Sequence, residues 1–314
     1  MRKSRCVAEC PRTADVGGKI SLWRPALGNF VPVYPRPASR YNLVMPKLNV
    51  NGGSIYYTVQ GQGEPMVMLR GLGRSIRHWL GFEKKMAEHF QVICIDARGI
   101  GRSSAIPPLM LSTEDMAEDV VRVLDKIGVE SSHVFGVSLG GMVALTLGMK
   151  FGDRVRSLSV VNSSIGGERR LRLSPAAAKT ILSGVISGGN LHEQLAELLT
   201  GSAATPAKKK SLAQRWAKIE EIEGRPVATV IKQIGAALRF RNRAALSSIK
   251  SPTLIVGGTA DRFVPPAQSE IIHSLIPRSQ FVQIEAGGHE VTDDFPDDVI
   301  KAVVGFVESN RRDA

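Results

Sequence analysis

The sequence predicts an α/β fold: a doubly wound, mostly parallel sheet of eight strands, with a helical cap inserted before the seventh. Three observations carry this. Short apolar runs recur along residues 45–314 with helical stretches between them. Most of these runs are continuous rather than alternating, as strands covered on both faces require. The alternation then stops over about 165–250, where no strand-like run occurs.

Residues 1–44 are set apart from the rest. They hold Pro11, Pro25, Pro32, Pro35 and Pro37 and show neither helical nor strand periodicity. They read as a basic, Pro-rich extension, either disordered or absent from the native protein if translation begins at Met45. The core begins with Leu48-Asn49-Val50 and Ser54–Val59, which flank Asn51-Gly52-Gly53, a hairpin signal. Six further strand runs follow, at Met66–Leu69, Val92–Ile95, His133–Phe135, Leu158–Val161, Thr253–Val256 and Phe281–Ile284. Between them, Thr113–Ile127 places Met116, Val120, Val123, Leu124 and Ile127 on one helical face, and Ser112-Thr113-Glu114-Asp115 supplies its cap. A helix follows Ser138, and others are expected at 266–275 and 297–308. Segments 45–164 and 251–314 therefore form the core. Residues 165–250, with amphipathic stretches at Leu191–Leu199 and Leu212–Ile222, form a cap over the carboxyl ends of the strands.

Composition excludes several classes. The charged share of 22% and hydrophobic share of 43% are those of a globular protein, and no run of about 18 apolar residues suggests a membrane span. Cys6, Cys10 and Cys94 form neither a disulfide framework nor a metal-ligand pattern, which fits a reducing, cytoplasmic setting. Half of the net charge of +12 lies in residues 1–44, which carry eight Lys and Arg against two acids, and no aromatic-rich basic motif accompanies it. A nucleic-acid partner is not expected.

The chemistry centres on Ser138, in Gly136-Val137-Ser138-Leu139-Gly140 directly after His133–Phe135. A G-x-S-x-G between strand and helix is a sharp turn that lifts the hydroxyl into a site. A serine needs a general base, and the base needs an orienting carboxylate, in the chain order Ser, acid, His. Of six histidines, only His289 lies in a glycine-rich loop after a late strand, and Asp261 stands at the end of the strand before it. Glu290, Asp293 and Asp294 are alternative acids, read instead as caps of the last helix. An oxyanion needs two donors. One is the N–H of Leu139. The other is assigned to Leu72, in the loop Arg70-Gly71-Leu72-Gly73-Arg74-Ser75. No metal or cofactor is called for.

These residues resemble the α/β-hydrolase superfamily, in its branch of small lidded esterases, enol-lactonases and carbon–carbon hydrolases. The resemblance rests on the Gly71-Leu72-Gly73 loop, Asp96-Ala97-Arg98-Gly99-Ile100-Gly101-Arg102-Ser103, the Ser138 turn, and Asp261 with His289. It implies a small-molecule ester or lactone substrate. Carbon–carbon hydrolysis of a diketone-like product of aromatic degradation, or a ligand receptor on the same fold, are the alternatives. The chain departs from the family at Arg70, where histidine usually precedes the glycine. Arg70 either braces the loop or faces an anionic substrate. His78, Trp79 and Trp216 are candidates for the pocket wall, with plain core as the alternative reading. The cap carries Arg169-Arg170, Lys208-Lys209-Lys210, Arg239, Arg241 and Arg243, read as a solvated surface or as an attraction for acidic ligands.

Overall fold

The computed structural model describes residues 46–166, Thr180 and 190–312. The expectation for residues 1–44 lies outside that range, as do Arg169 and Arg170. The eight strands are β1 (Lys47–Val50), β2 (Gly53–Gln60), β3 (Pro65–Leu69), β4 (Gln91–Ile95), β5 (Ser132–Val137), β6 (Val155–Val161), β7 (Thr253–Gly258) and β8 (Ser279–Ile284). They form one sheet in the order β1-β2-β4-β3-β5-β6-β7-β8. From β4 to β8 all neighbours are parallel, while β1–β2 and β2–β4 are antiparallel. The sheet is thus mixed, with its antiparallel pair confined to one edge.

Position in the sheet explains the apolar pattern. Every residue of β3, β5 and β7 is buried, so these strands have no polar face to show. The edge strands β1 and β8 keep exposed positions. The turn between β1 and β2 places Gly52 at φ +83°, a conformation glycine adopts without a Cβ clash.

Helices cover both faces. Those between β3 and β6 are α1 (Phe82–Met86), α2 (Thr113–Lys126) and α3 (Leu139–Lys150). The cap helices are α4 (Leu191–Leu199), α5 (Pro206–Glu223) and α6 (Val227–Arg239). After β7 come α7 (Ala267–Leu275), the short α8 (Val291–Asp294) and α9 (Pro296–Arg312). Buried residues of α2, α3 and α7 pack one face of the sheet. Phe82 and Met86 of α1 and Val299, Val303, Phe306 and Val307 of α9 pack the other. Each such fully buried side chain contributes roughly 1.5–3 kcal/mol. The start of α2 has the expected reciprocal cap: Ser112 Oγ accepts from the Asp115 N–H at 3.1 Å, and the Asp115 carboxylate accepts from the Ser112 N–H at 2.8 Å. Helix α3 buries every residue from Leu139 to Gly148, and so lacks a polar stripe.

Helices α4 and α5 share a cluster of their own, in which Ala196, Leu199, Leu212 and Trp216 meet Phe263 and Val264 from the loop after β7. That loop is thereby tied to the cap as well as to the sheet.

Candidate active site

Ser138 lies between β5 and α3 with φ 57° and ψ −118°, outside the favoured regions for a residue with a side chain. Such strain is on the order of 1–3 kcal/mol and persists only where the surroundings impose it. They do so through the backbone. The Ser138 N–H donates to Val161 O at 2.9 Å, and its carbonyl accepts from the Ser163 hydroxyl at 2.7 Å and the Gly141 N–H at 2.9 Å. The two flanking glycines are steric necessities. A Cβ on Gly136 would lie 2.3 Å from Gly140 O, and one on Gly140 would lie 2.3 Å from Leu69 O.

The loops after β7 and β8 bring Asp261 and His289 together. His289 Nδ1 stands 2.8 Å from Asp261 Oδ2, with both side chains buried. Asp261 Oδ1 accepts the N–H groups of Phe263 and Val264, each at 2.8 Å, which fixes the carboxylate. An Nδ1–H donated to Asp261 leaves His289 Nε2 as the acceptor side of the ring. None of the alternative acids holds this position. Glu290 binds Arg70, and Asp294 Oδ2 accepts the N–H groups of Gly201 and Gly288. Their expected role as caps of the last helix is not what the fold gives them. Asp293 and Asp294 belong to α8, and α9 starts after Phe295, whose carbonyl accepts the Val299 N–H.

The loop after β3 lies against Ser138. A Cβ on Gly71 would sit 3.1 Å from Ser138 Cβ and 3.5 Å from its Oγ. Among the described residues, neither the Leu72 nor the Leu139 N–H donates to a protein acceptor. The loop is held from several sides. Arg74 N–H donates to Gly71 O at 3.2 Å, and Gly73 N–H to Gln233 Oε1 of α6 at 2.8 Å. Ile76 N–H donates to Asp96 Oδ1 at 2.7 Å, while Asp96 Oδ2 accepts from Arg102 N–H at 2.9 Å. The D-x-R-G-x-G-x-S segment is therefore a brace for this loop. Burial pushes the Asp96 carboxyl up to about 6.

Ser138 and His289 line one cavity of about 440 Å³. Leu72, His78, Trp216 and Arg70 also contribute to its wall. Burial, together with Arg74 and Arg70, holds the His78 imidazole well below its ordinary pKa, so it is neutral at neutral pH. Trp79 is a correction. It does not line the cavity but packs with Phe82 and Phe135 in the core, with the Arg70 guanidinium, which does line the cavity, 4.6 Å above its ring.

A family model described as the alpha/beta hydrolase fold matches residues 64–184 and 187–296. The chain belongs to the α/β-hydrolase family. Its activity is of the hydrolase class. A putative carbamate hydrolase RutD of Azorhizobium caulinodans is 30% identical over 269 residues, covering 83% of this chain and 98% of that protein. Among solved structures, an N-acyl homoserine lactone degrading enzyme is 26% identical with a TM-score of 0.71, covering 83% of this chain and all of that one. The enol-lactonase of Burkholderia xenovorans LB400 shares the fold at 21% identity and a TM-score of 0.71, covering 84% of this chain and 100% of that one.

Two features of this α/β hydrolase were not read from sequence: the partners through which Arg70 braces its loop, and the role of Asn162. At Arg70, the guanidinium stacks on Trp79 and donates to both carboxylate oxygens of Glu290, at 3.1 and 2.9 Å. The departure from the family pattern thus ties the Leu72 loop to the His289 loop. The second is Asn162, just past β6 at φ 44°. Its amide donates to Gly288 O at 2.8 Å and His289 O at 3.0 Å, and its Oδ1 accepts from Gly258 N–H at 2.8 Å. A polar residue directly after the apolar run Leu158–Val161 was the one available signal. Asn162→Ala strands three buried backbone groups and is expected to cost on the order of 3 kcal/mol. Urea denaturation would read the loss, and a variant as stable as the wild type would show that the hub is dispensable.

Proposed function

We propose that this protein is a serine hydrolase of carboxylic esters or lactones. Ser138 Oγ attacks the carbonyl carbon while His289 Nε2 takes its proton, and Asp261 orients and stabilises the resulting imidazolium. The N–H groups of Leu72 and Leu139 hold the oxyanion of the tetrahedral intermediate. The intermediate collapses, the C–O bond breaks, and the alkoxide leaves with the proton from His289. Water then attacks the acyl-enzyme by the same path and frees the acid. The observation that carries this reading is the 2.8 Å His289–Asp261 contact beside a serine in strained geometry on the wall of the same cavity.

The relatives named as putative carbamate hydrolases favour a second reading, in which the same groups cleave a carbamate C–N bond. A turnover screen over short and long acyl esters, lactones, carbamates and diketones separates the possibilities. Multiple turnovers on an ester or lactone are expected. Turnover of carbamates alone would overturn the ester reading in favour of the second. Turnover of diketones alone would point to carbon–carbon hydrolysis, and tight binding with no turnover of any class would point to a receptor.

A further inference from the structure

The cavity beside Ser138 contains a cation whose hydrogen bonds are unused. Three arginines line it: Arg70, Arg74 and Arg225. Arg70 donates to both oxygens of Glu290 through one nitrogen, while its other two nitrogens are buried without a partner among the described residues. Arg225 is held by Glu220 through Nε at 3.0 Å and a second nitrogen at 2.5 Å. A third carboxylate on the wall, Glu223, is paired at 2.9 Å with Arg77, which approaches from outside the cavity. Arg74 differs. Its closest carboxylate oxygen is Glu290 Oε1, 3.9 Å from Nε, beyond hydrogen-bond range. No acceptor among the described residues bonds its guanidinium.

The surroundings make this costly unless an anion arrives. The Arg74 guanidinium lies 4.0 Å above the Trp216 ring, and its side chain is 11% exposed. Burial lowers its pKa to about 10, so it remains charged at neutral pH. The nearby negative charge is already shared, since Glu290 faces both Arg70 and Arg74. Asp293 also faces the cluster, but burial and Glu290 push its carboxyl up to about 7, which leaves it only partly ionised at neutral pH. Two guanidiniums therefore share little more than one carboxylate in a desolvated wall. The backbone of Arg74 is fixed by its N–H bond to Gly71 O, in the same loop that abuts Ser138. The planar group is positioned by the Trp216 face and open to the cavity, as a bidentate carboxylate site requires.

We propose that Arg74 binds a carboxylate carried by the substrate, so that this enzyme selects carbonyl compounds bearing a second, anionic group. The assignment rests on the serine-hydrolase reading for its catalytic consequence, though not for the binding itself. Its test compares mono-4-nitrophenyl glutarate, an acidic ester, with 4-nitrophenyl valerate, a neutral ester of like length. In Arg74→Gln the ratio of kcat/KM for the acidic over the neutral ester is expected to fall at least about 30-fold, mainly through KM, and Arg74→Lys to recover part of it. A ratio within twofold of the wild type would overturn the proposal. Glutarate binding to Ser138→Ala, read by calorimetry with and without Arg74→Gln, decides the question even if no ester is turned over. Binding weakened at least about tenfold by Arg74→Gln supports the assignment; equal binding, or none in either protein, overturns it. A wild type that cleaves no ester would sink the ester reading alone.

Discussion

Replacing Ser138 by alanine is expected to lower kcat/KM for the best ester by about 10⁴-fold or more, because no other group can supply the attacking oxygen in that position. The fold should survive. The hydrogen bonds that fix residue 138 come from its backbone N–H and carbonyl, which bind Val161, Ser163 and Gly141, and alanine keeps both groups. The positive φ of 57° is already imposed on a residue with a Cβ, so the change adds little strain. Thermal unfolding within about 1 kcal/mol of the wild type, with loss of labelling by a fluorophosphonate, completes the expected result. Hydrolysis at the wild-type rate would remove Ser138 from the mechanism.

Breaking the Arg70–Glu290 pair should have the largest effect on stability. Both side chains are at most 5% exposed, and Arg70 Nε and one further nitrogen have no partner among the described residues. Glu290→Gln would leave Arg70 and Arg74 facing a neutral amide, and removal of one member of a buried pair costs about 3–5 kcal/mol. Burial alone would raise the Glu290 carboxyl, yet Arg70 and Arg74 outweigh it and hold the group below the ordinary carboxylate range. With the folded pKa below the unfolded one, the contribution is present above the unfolded value and is lost as pH falls through the folded one. The difference in unfolding free energy between wild type and Glu290→Gln should therefore be full at neutral pH and shrink in acid. Replacing both partners with apolar residues, as in Arg70→Met with Glu290→Leu, should cost less than Glu290→Gln alone. A single variant no less stable than the wild type would show that the pair carries no net stabilisation. Because Glu290 adjoins His289, kcat should fall with stability in the single variant.

The parallel sheet was legible because its signal is local. Continuous apolar runs such as Thr253–Val256 mark strands buried on both faces, and each lies within the strand observed. Helix α3 was placed after Ser138 although its burial leaves no amphipathic period, since the glycine-flanked turn itself marks the start. Asp261 and His289 could be selected by chain order, because each follows a strand whose carboxyl end opens on the same edge of the sheet. Trp79 could not be placed. It and Trp216 carry the same apolar weight in sequence and both are buried, and only the packing brings Trp216 against the cavity while Trp79 stays away from it.

The sequence alone determined the α/β architecture and singled out Ser138, Asp261 and His289 as candidates, since strand burial and turn chemistry are written in residues a few positions apart. Tertiary structure alone decided which arginine meets a carboxylate within hydrogen-bond reach and which does not. Arg70 meets Glu290 across 220 positions, while Arg74, four residues further along the same loop, turns to Trp216 and the cavity. A charge takes its partner from whichever distant loop the sheet carries into reach, and periodicity along the chain holds no record of that approach.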